Sequence, residues 1–191
     1  TKQVLNSKLN ASCSSGSGTL IISVQSAAFN AEDIEEGTPL INPIEIEINS
    51  EKVRSKSETP FKEDAGDIDL ESADILVSIG RGIEKKENVQ IGFDLAKTLG
   101  AEVSASRPVV DAGWIESYRQ VGSSGASVSP KLYLALGISG AIQHVVGMKG
   151  SKFILAINKD PDSPLFEISD YAIIGDVLEI VPKLNQALQD L

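Results

Sequence analysis

Ser106, Arg107, Ser123, Ser124, Ser139 and His144 bring a cation, several hydroxyls and an imidazole into one stretch, Ser106–His144. These groups suit the wall of a dinucleotide pocket. Gly137-Ile138-Ser139-Gly140 reads as a tight turn after the apolar run Leu132–Leu136, and a helix is expected from Ala141 onward. A helix start behind a glycine turn presents unpaired N–H groups and a positive dipole end, which suits a phosphate. Upstream, Gln120, Val121, Gly122, Ser123, Ser124 and Gly125 offer hydroxyls and bare backbone with no bulky side chain. Two such loops on one sheet edge make a cleft.

Bond-breaking chemistry finds little support in the same residues. Gly137-Ile138-Ser139-Gly140-Ala141 ends in alanine where a nucleophile elbow needs glycine. The only histidine, His144, stands five residues after Ser139 on the same element, roughly one and a half helical turns along. That arrangement does not build a catalytic triad. One histidine and one cysteine, Cys13, also exclude a His-pair or Cys-based metal site and an intrachain disulfide.

Each candidate has a plainer reading beside it. Gly80-Arg81-Gly82-Ile83-Glu84-Lys85 begins like a dinucleotide fingerprint but lacks its third glycine, so Arg81 can equally be a solvated turn residue. Arg107 precedes Pro108, which restricts it toward extended backbone; a loop salt bridge is the alternative. Ser123 and Ser124 can be turn residues, His144 a packed or surface residue, and Asp176 a helix cap. Tyr133, Met148, Trp114 and Tyr171 read as core or interface residues.

The segments SRPVVDAGW, QVGSSG, PKLYLALGISGAIQH, INKDP and SDYAIIGD, in this order and spacing, resemble the C-terminal flavin-binding domain of the electron transfer flavoprotein alpha subunit. The resemblance is close over most of 74–181 and loose over 18–72. It implies a Rossmann-like domain that binds FAD. It further implies that Arg81 contacts FAD on its phosphate side, and that Ser106 serves the pyrophosphate. Arg107 would lie over or beside the isoalloxazine, where a planar cation suits stacking and the charge of a reduced ring. The backbone of Val121, Gly122, Ser123 and Ser124 would follow the ring edge, with Gln120 and Gly125 completing that loop and the Ser124 hydroxyl reaching flavin N5. Ser139, Gly140, Ala141 and Ile142 would form the phosphate turn, and Gln143 would reach the ribityl or phosphate region. His144 would point at the C2 carbonyl, stabilising negative charge that arrives with the first electron. Asn158 and Asp176 align with adenosine-end contacts, and Val177 follows by its backbone. The family loop usually reads QVGQTG, so serine replaces threonine at Ser124 and glutamine at Ser123; a somewhat altered flavin potential is expected.

Positioning these groups requires a scaffold, and the bulk numbers allow one. A chain of 191 residues with 41% hydrophobic and 23% charged residues is one globular domain on size priors. A net charge of -10 disfavours nucleic acid. No apolar run reaches the ~18 residues of a membrane span, and TKQVLNSKLN lacks a signal-peptide core. Residues 1–18 read as a connecting segment ending in a small polar run, and 19–191 as the FAD-binding domain, with the family's N-terminal domain absent and processing or excision as possible origins.

Strands are expected at Thr19–Val24, Ile44–Ile48, Ile75–Ile79, Glu102–Ser104, Leu132–Leu136, Phe153–Ile157 and Tyr171–Ile174, with a surface connection over Glu51–Asp67. Helices are expected at Val89–Leu99, stopped by Gly100, and at Pro182–Leu191. Alternating units of this kind predict an α/β fold: a mostly parallel sheet with helices on both faces and ligands at the C-terminal strand ends.

The resemblance implies an electron carrier rather than an enzyme, taking electrons from acyl-CoA or other dehydrogenases and passing them to a quinone-linked oxidoreductase. Its expected partner is the electron transfer flavoprotein beta subunit, with self-association of the isolated domain as a substitute. Its expected location is a prokaryotic cytoplasm or the mitochondrial matrix. Two rival readings are an NAD-dependent enzyme on a similar sheet, for which no base or nucleophile is evident, and a structural or assembly domain that has lost its flavin.

Overall fold

Alternation along five short strands sorts the side chains of this chain into two apolar layers. The computed structural model describes residues 68–190, together with 2–4, 9–19, 21, 37–38, 40–45 and 55. β1 (Lys2–Val4) and β2 (Leu9–Ala11) pair antiparallel as a separate ribbon inside the expected connecting segment, and the polar run after them carries no helix or strand. The expected strands at 19–24 and 44–48 and the connection at 51–67 lie largely outside the described residues.

The main sheet holds β3 (Ile75–Ile79), β4 (Glu102–Ala105), β5 (Leu132–Leu136), β6 (Phe153–Asn158) and β7 (Tyr171–Ile174). All neighbours are parallel, in the order β4-β3-β5-β6-β7. On one face, Val77, Ile79, Val103, Leu134, Leu136 and Ile157 pack against α1 (Val89–Leu99) and α4 (Val177–Gln189). On the other, Leu76, Tyr133, Ala135, Ile154 and Ala156 meet Leu70, Val121, Val128, Met148 and Leu165. That second face is covered by the short α3 (Ile142–Val145), the 3-10 turn Pro164–Ile168 and loops. Both faces of a parallel sheet must be covered, and here one cover is regular helix and the other mostly irregular.

α1 forms because Val89, Gly92, Leu95 and Ala96 fall on one face toward the sheet, and Gly100 ends it. α4 starts five residues before the expected Pro182, because Asp176 accepts from the Leu178 N–H at 2.8 Å and caps it. Val177 and Val181, both ahead of Pro182 in the helix, are buried. Their burial outweighs the one backbone bond that Pro182 removes. Among the described residues no helix is long and apolar enough to cross a membrane.

The strand order reverses direction between β3 and β5. From β3 the chain runs through α1 to β4 on one side; from β5 it runs on to β6 on the other. The loops leaving β3 and β5 therefore part at that point, and a crevice opens outside the strand ends.

Leu95 is fully buried between α1 and the sheet and does not border this crevice. Leu95→Ala should lower unfolding free energy by about 2–5 kcal/mol, measured as a shifted urea midpoint with unchanged slope. An unmoved midpoint would place α1 outside the cooperative core.

Candidate functional site

Two glycine turns lock together at the crevice. The Gly80 N–H donates to the Leu136 carbonyl at 2.8 Å, and the Gly82 N–H to the Gly137 carbonyl at 2.9 Å. Gly137 has φ +65°, a conformation open to glycine, and a Cβ on Gly82 would sit 2.8 Å from its Cα. Side chains are excluded from the contact, so the two loops approach backbone to backbone. Above them lies a cleft of about 600 Å³, within the ordinary range of small-molecule sites.

Arg81 and Glu84 enter the cleft from the turn after β3. Glu84 accepts from Lys159 Nζ at 2.8 Å across the cleft mouth, and this contact raises the Lys159 pKa. Ser106 and Arg107 follow β4. Ser106 is buried; its carbonyl accepts from Val109 and Val110, while its hydroxyl makes no cap bond. Arg107 opens the helix α2 (Arg107–Asp111) instead of lying in extended backbone as expected. Pro108 in a first helical turn lacks an N–H that would be unpaired there anyway, so the turn closes around it. The Arg107 guanidinium meets Asp111 at 3.2 Å in solvent.

The Gln120–Gly125 loop is held from three sides. Val121 donates to the Ala105 carbonyl at 3.0 Å, Ser123 to Gln143 at 2.7 Å, and Ala126 to Gln120 at 2.8 Å. Gly122 has φ +138°, and a Cβ there would approach the Gln143 carbonyl at 2.8 Å. Val121, Gly122, Ser123 and Ser124 border the cleft, whereas Gln120 and Gly125 brace the loop from outside it. Gln120 Nε2 donates to Ser124 Oγ at 3.0 Å, leaving the serine proton free to donate.

From the other side, Ser139, Ala141, Gln143 and His144 line the cleft. Gly140 and Ile142 do not. The helix α3 is only 4 residues long, so its dipole is small; the unpaired N–H groups of a helix start remain. The expectation of a helix running on from Ala141 is corrected to one turn, continued by turns to Lys149. Gly147 packs its backbone on Gly122, which crowds this segment.

Asn158 lines the cleft, yet its side chain is already engaged. It donates to the Ile138 carbonyl at 3.0 Å and accepts from the Asp160 N–H at 3.1 Å. Asp176 caps α4 and Val177 is buried beneath it; neither borders the cleft. Glu84, Asp111, Lys159 and Asp160, to which the sequence assigned no ligand role, do border it. NKDP after a strand carried a signal for Lys159; nothing local pointed to its pairing with Glu84, 75 residues away.

Charge in the cleft is unevenly committed. Arg107 faces Asp111 and Lys159 faces Glu84, while Arg81 has no ion-pair partner among the described residues. His144 is 6% exposed, with Nε2 2.9 Å from the Tyr133 hydroxyl and Nδ1 closing no hydrogen bond of good geometry. Burial lowers its pKa to about 4 against a smaller opposing effect of the Val121 backbone. The imidazole is neutral at pH 7, flanked by three cations' worth of wall. Such a cleft can hold a phosphorylated ligand and offer polar groups to a ring.

Residues 69–149 match the family described as "Electron transfer flavoprotein FAD-binding domain". The chain is 49% identical to Protein FixB of Azotobacter vinelandii over 144 residues, covering 75% of this chain and 37% of that protein. It is 40% identical to the electron transfer flavoprotein subunit alpha of Pseudomonas aeruginosa over 178 residues, covering 93% and 57%. It is 50% identical over 134 residues to a probable mitochondrial electron transfer flavoprotein subunit alpha of Caenorhabditis elegans, covering 70% and 38%. The chain thus spans less than two thirds of the length of these relatives.

The depressed pKa of His144 makes a linkage prediction. Between about 4 and the ordinary 6.5 the unfolded chain binds a proton that the folded chain refuses. Its contribution is complete above pH 6.5 and is lost as pH falls toward 4. Relative to His144→Gln, the unmodified chain should lose about 3 kcal/mol across that window, read from denaturant titrations at pH 7 and pH 4. Parallel pH profiles for the two proteins would contradict the assignment.

Proposed function

We propose, from the match of residues 69–149 to the electron transfer flavoprotein FAD-binding domain, that this chain is an electron carrier working through bound FAD. The observation that carries the reading is the cleft at the strand reversal, where Arg81, Arg107, Ser124 and His144 meet around bare glycine backbone. FAD suits these residues: unpaired amide donors and a free cation for its phosphates, and a buried imidazole nitrogen that closes no hydrogen bond of good geometry beside the loop expected to follow its ring. When bound, FAD supplies one- and two-electron chemistry that no side chain here offers.

In this reading Arg81, Ser106 and the turn Ser139–Gln143 hold the pyrophosphate. Arg107 stacks beside the ring, Ser124 donates toward N5, and the Val121–Ser124 backbone fixes the ring edge. His144 offers a preplaced donor where negative charge develops. Asn158 starts the adenosine end, which runs toward Asp176 and Val177 beyond the cleft. No group in the cleft is arranged as a nucleophile with its base, which favours carriage over conversion.

The proposed partner is an electron transfer flavoprotein beta subunit, completing the enclosure of the ring. Dehydrogenases, including acyl-CoA dehydrogenases, would donate electrons and a quinone-linked oxidoreductase accept them. The proposed location is a prokaryotic cytoplasm or the mitochondrial matrix; one relative is named as mitochondrial and another comes from the bacterium Azotobacter vinelandii.

Visible absorption of the purified chain, before and after adding FAD, tests the proposal. Bound flavin with a structured spectrum that bleaches on stepwise reduction is expected. A chain that ignores FAD both alone and with a beta subunit would overturn it. Ser124→Ala should lower the flavin midpoint potential by an amount equivalent to about 1 kcal/mol, the worth of one hydrogen bond. Identical redox titrations would remove Ser124 from the ring contacts.

A further inference from the structure

Three buried hydroxyls interrupt the apolar layer behind the cleft. Ser78 on β3 and Ser104 on β4 are register partners, fully buried, and neither hydroxyl closes a hydrogen bond of good geometry. Tyr133 on β5 projects to the same face and is likewise fully buried. It belongs to the same buried cluster as Leu76, Val121, Met148 and Leu165. A phenylalanine would fill that volume without a polar atom to satisfy, so packing alone does not account for the hydroxyl.

The hydroxyl's best-formed contact is His144 Nε2 at 2.9 Å, with Ser78 and Ser104 as hydrogen-bond neighbours of looser geometry. Burial raises the phenol pKa, so Tyr133 keeps its proton and has it to give. A neutral imidazole has one nitrogen that accepts and one that donates. If the phenol donates to Nε2, the ring proton sits on Nδ1, which closes no hydrogen bond of good geometry, the Val121 backbone being the imidazole's looser neighbour.

We propose that Tyr133 is the positioning residue of this site: its hydroxyl donates to His144 Nε2, locks the Nδ1–H tautomer, and so leaves a ring N–H for the ligand. Ser78 and Ser104 stand behind the phenol as a polar seat, keeping its oxygen solvated while its proton is turned to His144. The distinction matters because an accepting nitrogen would repel a carbonyl or a gained negative charge, whereas a donating one attracts both. The part of the inference that concerns FAD rests on the reading of the cleft given above; the tautomer does not.

The test uses the full chain labelled with 15N-histidine. Since His144 is the sole histidine, both ring-nitrogen resonances are its own. In the unmodified chain at neutral pH, Nδ1 should resonate as protonated and Nε2 as a bare acceptor, well separated. In Tyr133→Phe the two should move toward each other as the tautomers mix. A protonated Nε2 in the unmodified chain overturns the proposal, and this arm needs no variant to fold. Unchanged resonances in a folded Tyr133→Phe overturn it as well.

Adding FAD to the unmodified chain should shift Nδ1 most. FAD that binds without moving either resonance overturns the link to the cofactor. Failure of FAD to bind at all, with or without a beta subunit, defeats the reading of the cleft while the tautomer result still stands. Tyr133→Phe should also weaken FAD binding several-fold, and Ser78→Ala with Ser104→Ala should shift the His144 resonances in the direction of Tyr133→Phe, by less.

Discussion

The site depends on two stretches of backbone touching without side chains between them. Gly80 and Gly82 leave one central strand, Gly137 leaves its neighbour, and their amides and carbonyls bond across the gap at 2.8 and 2.9 Å. This contact holds the loops together where the strand order would send them apart. Everything polar in the cleft is placed relative to it: Arg81 follows one turn, Ser139 to His144 the other, and Asn158 ties the second turn from the next strand. A single Cβ at Gly80 would collide with the Gly137 carbonyl and push the walls apart.

Around that anchor the cleft is electrically restrained. Two of its cations face carboxylates, and those exposed pairs contribute little to stability. They instead keep long side chains oriented over an open mouth. The groups whose burial has energetic weight lie deeper, in His144, Tyr133 and the two serines. A low-dielectric layer makes such groups costly unless paired, and the geometry pairs only part of them.

Much of the scaffold was legible in the chain. Ile75–Ile79, Leu132–Leu136 and Tyr171–Ile174 are strands at the expected bounds, and Val89–Leu99 is the expected helix. β-branched runs between glycine turns make such elements readable because the signal is local. Α-helical starts were less so: a proline at position 182 looked like a beginning, but burial of Val177 and Val181 extended the helix through it. Arg107 was read as extended from its neighbour Pro108, while the turn around Ser106 drew it into a helix.

Within the site, the residue types were visible but their commitments were not. The motifs named His144, Ser124 and Arg107 because each carries its chemistry in its own side chain, and the family resemblance placed them around a flavin. Tyr133 read as core because nothing within its own strand distinguishes a phenol from any other large apolar group. By itself the sequence determined the parallel α/β scaffold, the glycine turns and the family resemblance, since these follow from local periodicity and contiguous motifs. Only the tertiary structure decided that Glu84 meets Lys159 and that Tyr133 meets His144. Such pairings depend on strand order and on which face a side chain takes, and neither is written in any one segment.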